Sequence, residues 1–362
     1  MSAATAPRVG QGEAALARPL SLGRGVTFAP PVVLAPMEGV THRVFRDLIC
    51  DLAGPGGAPG AAWTEFLRVS KVALPVKAIR AELGPPRADV PVGVQLMGTD
   101  PGRVAESAVH AVAAGAPMVD LNFGCPAPVV FDKCAGSALL DAPERIEALV
   151  GAAARAVAVP VTAKVRLGVR DGSRLAEVLA AVEAAGAAAV TVHARTRDDR
   201  YAHPARWDEL ARARGLTRLP LLGNGDVLDP DDALRMARET GVDGVMIGRG
   251  ALRDPWVFAR VRARLRGDAP PAPGPRDLLV FHARYRDAMA RQATPLAVLG
   301  QLKQLYRRLD VVLALDEERR RALLRAQTLA DLEALVLARC RDAGWADGWP
   351  DARGPAGPAP ER

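Results

Sequence analysis

Short runs of β-branched and aliphatic residues recur through the first 250 residues, each followed by a longer Ala-rich stretch of helical spacing, and this alternation constrains the fold more than any other feature. The runs are Val32–Met37, Ala62–Leu67, Val92–Gly98, Val119–Gly124, Val161–Leu167, Ala189–Arg195, Leu219–Gly225 and Gly244–Gly250. Strands that alternate with helices pair in parallel, and eight of them predict an α/β fold closed into a (β/α)8 TIM barrel. Helix starts fall where this scheme needs them. Asp100-Pro101 follows the third run, Asp141-Ala-Pro-Glu144 the fourth and Asp229-Pro230 the seventh; Asp at the N-cap with Pro in the first turn opens a helix.

A barrel takes about 250 residues, so a 362-residue chain has room for a second unit. We read residues 1–25 as a flexible tail and 26–268 as the barrel. Residues 269–275, Ala-Pro-Pro-Ala-Pro-Gly-Pro, make a stiff linker. Residues 276–345 form a small all-helical domain, with Leu278, Phe281, Tyr285 and Met289 on one helix face and Leu299, Leu302, Leu305 or Tyr306, and Leu309 on another. Residues 346–362 are a second tail. The glycine-rich stretch 54–60 precedes a strand and lacks Gly-Lys-Ser/Thr, so it reads as a surface loop and not a phosphate loop.

No stretch of about 20 residues is uninterruptedly apolar, and residues 1–25 lack the apolar centre of a signal peptide. The expectation is a cytoplasmic monomer with no membrane contact. The four cysteines, Cys50, Cys125, Cys134 and Cys340, form no C-x-x-C and no zinc spacing with histidine, so neither a metal nor a disulfide framework is expected. The net charge of +7 fits a polyanionic partner, and it equally fits a general bias toward Arg and Ala. That bias is useful: only Lys71, Lys77, Lys133, Lys164 and Lys303 remain lysine, which draws attention to work a guanidinium cannot do.

The active site of this fold lies at the C-terminal strand ends, and the polar residues gather there. Successive ends carry Pro36-Met37-Glu38, Gln95, Asp120 with Asn122 and Cys125, Lys164 with Arg166, His193 with Arg195, Asn224-Gly225-Asp226, and Gly248-Arg249. The glycine turns after the seventh and eighth runs can offer backbone N–H groups to a phosphate, or can simply allow tight turns. Lys164 and Arg166 point to the same side; they need an anion, such as a flavin phosphate and a reduced ring, or an ion pair with Asp120 or Glu38. Cys125, in a loop at the chemical end, reads as an acid, while Cys134 reads as structural. His193 reads either as a packed core residue or as a cofactor hydrogen-bonding group.

These motifs, taken together and in order, resemble the tRNA-dihydrouridine synthase family. The resemblance runs through Leu34-Ala-Pro-Met-Glu-Gly-Val-Thr-His-Arg-Val-Phe-Arg46, Asn122-Phe-Gly-Cys-Pro126, Lys164-Val-Arg-Leu-Gly168, Val192-His-Ala-Arg-Thr196, Gly223-Asn-Gly-Asp226 and Met246-Ile-Gly-Arg-Gly250. It implies a barrel that holds FMN, takes electrons from NADPH and reduces the C5–C6 bond of a tRNA uridine. Pro36, Met37 and Glu38 would lie against the flavin; Gln95, Lys164 and His193 would bond its ring or ribityl chain. Asn224, Gly225, Asp226, Gly248 and Arg249 would hold the phosphate region. Cys125 would be the proton donor and Asn122 would contact the uracil.

Thr64-Glu-Phe-Leu-Arg-Val69 and Leu74-Pro-Val-Lys77 resemble the bacterial C-type subgroup, which modifies position 16 of the D-loop. On that resemblance Arg68, Arg166, Arg195 and Lys303 are the tRNA-facing residues. The chain departs from the family's opening motif at His42, where an Asp is usual, and from the C-type subgroup at Phe131-Asp-Lys-Cys134, which is closer to the general family pattern. Two alternatives stand beside this reading: an FMN barrel of the dihydroorotate-dehydrogenase type acting on a small molecule, and a non-catalytic RNA-binding barrel.

Overall fold

The computed structural model describes residues 12–52, 56–131, 134–313 and 315–350. Residues 1–11 and 351–362 of the two expected tails lie outside these, as do residue 53, residues 54 and 55 of the glycine-rich loop, and Asp132 and Lys133 of the stretch after Cys125.

Eight parallel strands form the barrel: β1 Val32–Leu34, β2 Ala62–Trp63, β3 Val92–Met97, β4 Val119–Asn122, β5 Val161–Arg166, β6 Ala189–His193, β7 Leu221–Asn224 and β8 Gly244–Ile247. A two-residue strand, Leu67–Arg68, extends the β2 side along β3. The paired order runs β1-β8-β7-β6-β5-β4-β3-β2. The ring closes where the Gly60 N–H donates to the Val32 carbonyl at 2.8 Å and the Leu34 N–H donates to Ala61 at 3.0 Å. Only glycine permits that approach, since a Cβ on Gly60 would sit 1.8 Å from the Pro30 carbonyl oxygen. Residues 57–60 are therefore buried against the barrel, which corrects the surface-loop reading of this part of the stretch.

Alternation along the strands divides the interior from the helix-facing side. On β5, Val161, Ala163 and Val165 join the apolar layer under the surrounding helices, while Thr162, Lys164 and Arg166 point the other way. Inside the barrel the lower end is apolar: Val33, Trp63, Met118, Ala189, Leu222 and Met246 pack together. An antiparallel hairpin, Leu20–Gly23 with Val26–Phe28, plugs this end. Phe28 sits edge-on to Trp63 with ring centroids 5.7 Å apart. A short helix, Gly12–Leu16, precedes the hairpin. Residues 12–25 are thus not a tail: Leu16 and Phe28 are fully buried, and each such burial is worth about 2 kcal/mol.

Asp100 caps its helix through the Arg103 N–H at 2.8 Å, and Asp229 does so through Asp232 at 2.9 Å. Asp141 does not cap. It ends a 3-10 segment, Gly136–Asp141, and the helix opens one residue later at Ala142, with Pro143 in the first turn.

Four helices follow the irregular stretch 268–274: α1 Pro275–Ala290, α2 Pro295–Tyr306, α3 Glu317–Arg325 and α4 Leu329–Asp342. Leu278, Phe281, Tyr285 and Met289 of α1 are buried, as are Leu299, Leu302, Leu305, Tyr306 and Leu309. Their core is continuous with that of the barrel. Tyr285 sits edge-on to Phe45 of the helix Arg43–Asp51, and Phe281 packs on Trp256. His42 has a role in this contact. It does not cap the Arg43–Asp51 helix; its Nε2 lies 3.0 Å from the Tyr285 hydroxyl, joining the end of β1 to α1. The second tail also begins in contact, with Trp349 packed 4.9 Å from the buried His282 ring. Among the described residues no helix is long and apolar enough to cross a membrane.

Candidate active site

The inward residues of the upper barrel are polar on every strand from β3 to β7, and they converge at the C-terminal mouth. On β3 and β4 they form a chain. Asp120 accepts from the Thr162 hydroxyl at 2.5 Å and from Gln95 Nε2 at 2.7 Å. Gln95 Oε1 accepts from Asn122 Nδ2 at 2.8 Å. Asn122 Oδ1 accepts the backbone N–H groups of both Gly124 and Cys125 at 2.9 Å. Burial pushes Asp120 up to about 6, against the hydrogen bonds from Thr162 and Gln95 and the charge of Lys164.

Cys125 lies at the end of this chain, 7% exposed. Its carbonyl accepts from the Ser137 hydroxyl at 2.8 Å, so the loop is held on both sides of the residue. Burial raises the thiol above its ordinary range, with a contribution from Glu38, while Arg68 and Arg166 oppose the shift. The thiol is therefore neutral and still carries its proton at pH 7, as an acid requires and a nucleophile does not.

Beyond β4 the interior becomes cationic. Lys164 is 8% exposed, and its one hydrogen-bond partner among the described residues is Asn224 Oδ1 at 3.3 Å. Among the described residues no carboxylate lies within ion-pair distance of Lys164, so the pairing with Asp120 or Glu38 considered from the sequence does not form. Burial and the neighbouring Arg166 push Lys164 down to about 8, with Asp120 opposing. Burial, together with Arg166, Lys164, Arg195 and Arg249, holds His193 well below its ordinary range, so its ring is neutral. Asp226 accepts from Arg195 at 2.5 Å and from Arg249 at 2.7 Å. Burial works against its ionisation, but the Arg195 contact and the Ala205 N–H keep Asp226 below the usual carboxylate range. Among the described residues four cations, Lys164, Arg166, Arg195 and Arg249, thus face Asp120 and Asp226 in the interior with Glu38 exposed at the rim, and the mouth is short of negative charge.

The turns after β7 and β8 provide space for an anion. Gly225 has φ 125° and Asp226 φ 53°, a left-handed pair. A Cβ on Gly225 would lie 2.9 Å from Ala205, and one on Gly248 3.2 Å from the Met37 sulfur. The backbone N–H groups of Gly225, Asp226, Gly248 and Arg249 meet no backbone or side-chain acceptor among the described residues. Donors without a protein acceptor on successive turns, buried or half-buried beside a cation surplus, fit a phosphate-bearing cofactor.

Of the remaining expected residues, Pro36 and Met37 are half-buried at the rim and Glu38 is exposed. Arg68 is exposed and Lys303 half-buried. Arg166 and Arg195, read as tRNA-facing, are only 3% and 2% exposed. Arg166 donates to the Gly124 carbonyl at 2.6 Å and to Thr196 at 3.1 Å; Arg195 donates to His203 and Asp226. Neither can meet an RNA backbone on the outer surface, and each can reach only what enters the mouth. Both point inward because they alternate with apolar outward residues.

The sequence reading missed Tyr201 and Arg308. Tyr201 is 56% exposed and lies over Arg249, with the guanidinium carbon 4.3 Å from its ring centroid. Arg308 is exposed and close enough to Arg249 to disfavour its charge. Tyr201 is one of three tyrosines and sits in a charged run after β6, which was a usable signal. Nothing local marks Arg308.

A (β/α)8 barrel with a held neutral thiol, fixed amides and uncompensated cations at its C-terminal mouth is an enzyme of the cofactor-dependent kind. Comparison with known proteins narrows the class. The model of the dihydrouridine synthase (Dus) family matches residues 33–286, and the chain belongs to that family. It is 40% identical over 242 residues to the tRNA-dihydrouridine(16) synthase of Ralstonia nicotianae, covering 65% of this chain and 73% of the relative. It is 34% identical over 327 residues to the tRNA-dihydrouridine(16) synthase of Pseudomonas putida, covering 85% of this chain and 99% of the relative. The tRNA-dihydrouridine synthase B of Xanthomonas campestris is 38% identical over 239 residues, covering 65% and 70%.

Proposed function

We propose that the chain reduces the C5–C6 double bond of uridine in the tRNA D-loop to dihydrouridine, at position 16, with FMN resident in the barrel and NADPH as reductant. We place it in the cytoplasm, acting as a monomer. The observation that carries the proposal is Lys164, a buried cation with a single neutral partner at 3.3 Å, at the centre of a mouth short of negative charge. A flavin with its phosphate, and the charge its ring gains on reduction, matches that shortage. Lys164, His193, Gln95, Pro36, Met37 and Glu38 would hold the ring and ribityl chain. The turns at Asn224, Gly225, Asp226, Gly248 and Arg249 would hold the phosphate.

When bound, FMN would supply hydride-transfer chemistry with electrons from NADPH. The chain's residues do the rest. Asn122 has one Nδ2 hydrogen on Gln95 and a second free for a uracil carbonyl. Cys125 delivers its proton to C5 as hydride reaches C6, and Arg68 and Arg166, which favour the thiolate, steady it until solvent returns the proton. Lys164 and Arg166 lower the energy of negative charge at the mouth. The target base must leave its stack to enter a barrel, so tRNA is held by shape and backbone outside the pocket. Exposed Arg68, Arg307 and Arg308 and half-buried Lys303 are the cations placed for this. The small-molecule and non-catalytic alternatives have no observation in their favour: thiol, amides and cations all meet at one mouth.

The first test is the visible spectrum of the purified protein, with release and identification of any cofactor, followed by mapping of dihydrouridine in tRNA. FMN together with modification at position 16 is the expected outcome; a colourless protein that refuses added FMN would end the proposal, and modification elsewhere in the D-loop would end the position assignment. A second expectation concerns Arg68. Arg68→Ala should lower kcat/KM for tRNA several-fold and reduce its salt slope by about one, as loss of one phosphate contact does. Its flavin content should match the parent, and loss of FMN from this variant would overturn the assignment of Arg68 to tRNA.

A further inference from the structure

We infer that Asp120 is a positioning residue: from inside the barrel it terminates a directed chain of side-chain amides, and the chain fixes both the polar atoms shown to the pocket and the placement of the Cys125 loop. The inference rests on the flavin and uracil reading of the pocket for its functional consequence, but the chain itself is defined by contacts among this protein's own residues.

Direction is the central point. Glutamine and asparagine side chains are nearly symmetric in shape, so packing alone does not decide which end is donor and which acceptor. Here both ends of the chain decide it. At one end the backbone N–H groups of Gly124 and Cys125 demand an acceptor, which turns Asn122 Oδ1 toward them at 2.9 Å. Asn122 Nδ2 must then meet Gln95 Oε1. Gln95 Nε2 is left pointing down the barrel, where it needs an acceptor away from water. Asp120, 3% exposed, is that acceptor. Its second oxygen is occupied by the Thr162 hydroxyl, so the carboxylate is held in place by a residue of the next strand. Reversing any one amide would set donor against donor along the row. With the row intact, Asn122 keeps one Nδ2 hydrogen beyond the one bonded to Gln95, and the row fixes where that donor sits.

Removing the terminal acceptor should loosen the row at its far end. Asp120→Leu keeps the branched outline of the side chain, with somewhat larger end groups, and leaves Gln95 Nε2 without a partner. Asp120→Asn can restore the row, by offering Oδ1 to Gln95 while its amide donates to a rotated Thr162 hydroxyl. The readout is the rate of alkylation of Cys125 by iodoacetamide across pH, in the full chain, with Cys134→Ser as background because Cys134 is exposed whereas Cys50 and Cys340 are buried. Asp120→Leu should alkylate about tenfold faster than the background protein, and Asp120→Asn should stay within about twofold. In tRNA reduction Asp120→Leu should lower kcat about tenfold with KM for tRNA unchanged, because the residue lies beneath the pocket and touches no RNA.

If Asp120→Leu does not fold, Gln95→Met cuts the same row one step later and should accelerate alkylation likewise. Alkylation unchanged in whichever of the two variants folds would overturn the inference, as would an Asp120→Asn protein indistinguishable from Asp120→Leu. The alkylation arm does not depend on the flavin reading. A protein that makes no dihydrouridine yet shows these alkylation differences would lose the proposed function and keep the positioning role.

Discussion

Cys125→Ala should retain its yellow colour and its NADPH oxidation while dihydrouridine formation falls by about a hundredfold or more, the scale of a lost general acid. The separation of the two effects follows from position. The strand order sets Cys125, after β4, across the mouth from the Gly225 and Gly248 turns, after β7 and β8, so removing its thiol should leave the proposed phosphate turns intact. What it removes is a proton. Burial keeps that thiol neutral, and two clamps hold the loop: the Asn122 amide on its N–H and Ser137 on its carbonyl. Cys125→Ser sharpens the test. A hydroxyl fills the space and keeps the loop bonds but is a far weaker acid, so it should fall with alanine and not recover toward the parent. Quantification of dihydrouridine in tRNA, alongside visible absorbance and NADPH consumption, reads each effect separately. Undiminished product from either variant would refute the acid role.

Much of this site was legible because strand periodicity and the barrel rule together place every second residue at a strand end in the mouth. Each of the eight apolar runs corresponds to a strand. Although Leu219–Gly225 also begins two residues before its strand, most of the overrun lies at C-terminal ends: Val32–Met37 is a strand only to Leu34, Val119–Gly124 only to Asn122, and Gly244–Gly250 only to Ile247. Those surplus residues leave the ladder to form the turns that carry Met37, Cys125 and Gly248, so the overrun marks the site itself. Residues 12–25 were misread because two short strands with one inward face each, Leu22 on one and Val26 and Phe28 on the other, look like a polar tail until the barrel end they plug is known. The strand alternation already set Arg166 and Arg195 at the mouth; how deeply the mouth buries them, at 3% and 2% exposed, was not legible. Asp120 was visible only as a possible ion-pair partner for Lys164; that it terminates an amide row depends on β3, β4 and β5 lying side by side in register, which no local pattern specifies.

Replacing Lys164 with methionine should have two opposite effects, and their opposition is the sharpest statement of what the residue does. Dihydrouridine formation should fall by about a hundredfold to a thousandfold, as when one preorganised electrostatic contact is removed from a site, and FMN should be held less tightly. The flavin-free protein, in contrast, should become more stable at pH 7. The folded chain holds this ammonium at a pKa of about 8 against 10.5 for the ordinary group, so folding disfavours its charged form by about 3 kcal/mol. That penalty is fully present below about pH 8. Between pH 8 and 10.5 the unfolded chain binds more protons than the folded one, so the parent gains stability as pH rises through that window. The advantage of Lys164→Met should therefore be largest near neutrality and shrink toward pH 10. Urea unfolding of both flavin-free proteins at the two pH values measures it. A variant less stable than the parent at pH 7 would mean that the ammonium is already satisfied without a ligand, and the cation surplus would no longer point to an anionic cofactor. Added FMN should reverse the order, since a ligand bound only by the folded state stabilises in proportion to its affinity. A side chain that destabilises the empty barrel and stabilises the loaded one is retained for what it binds.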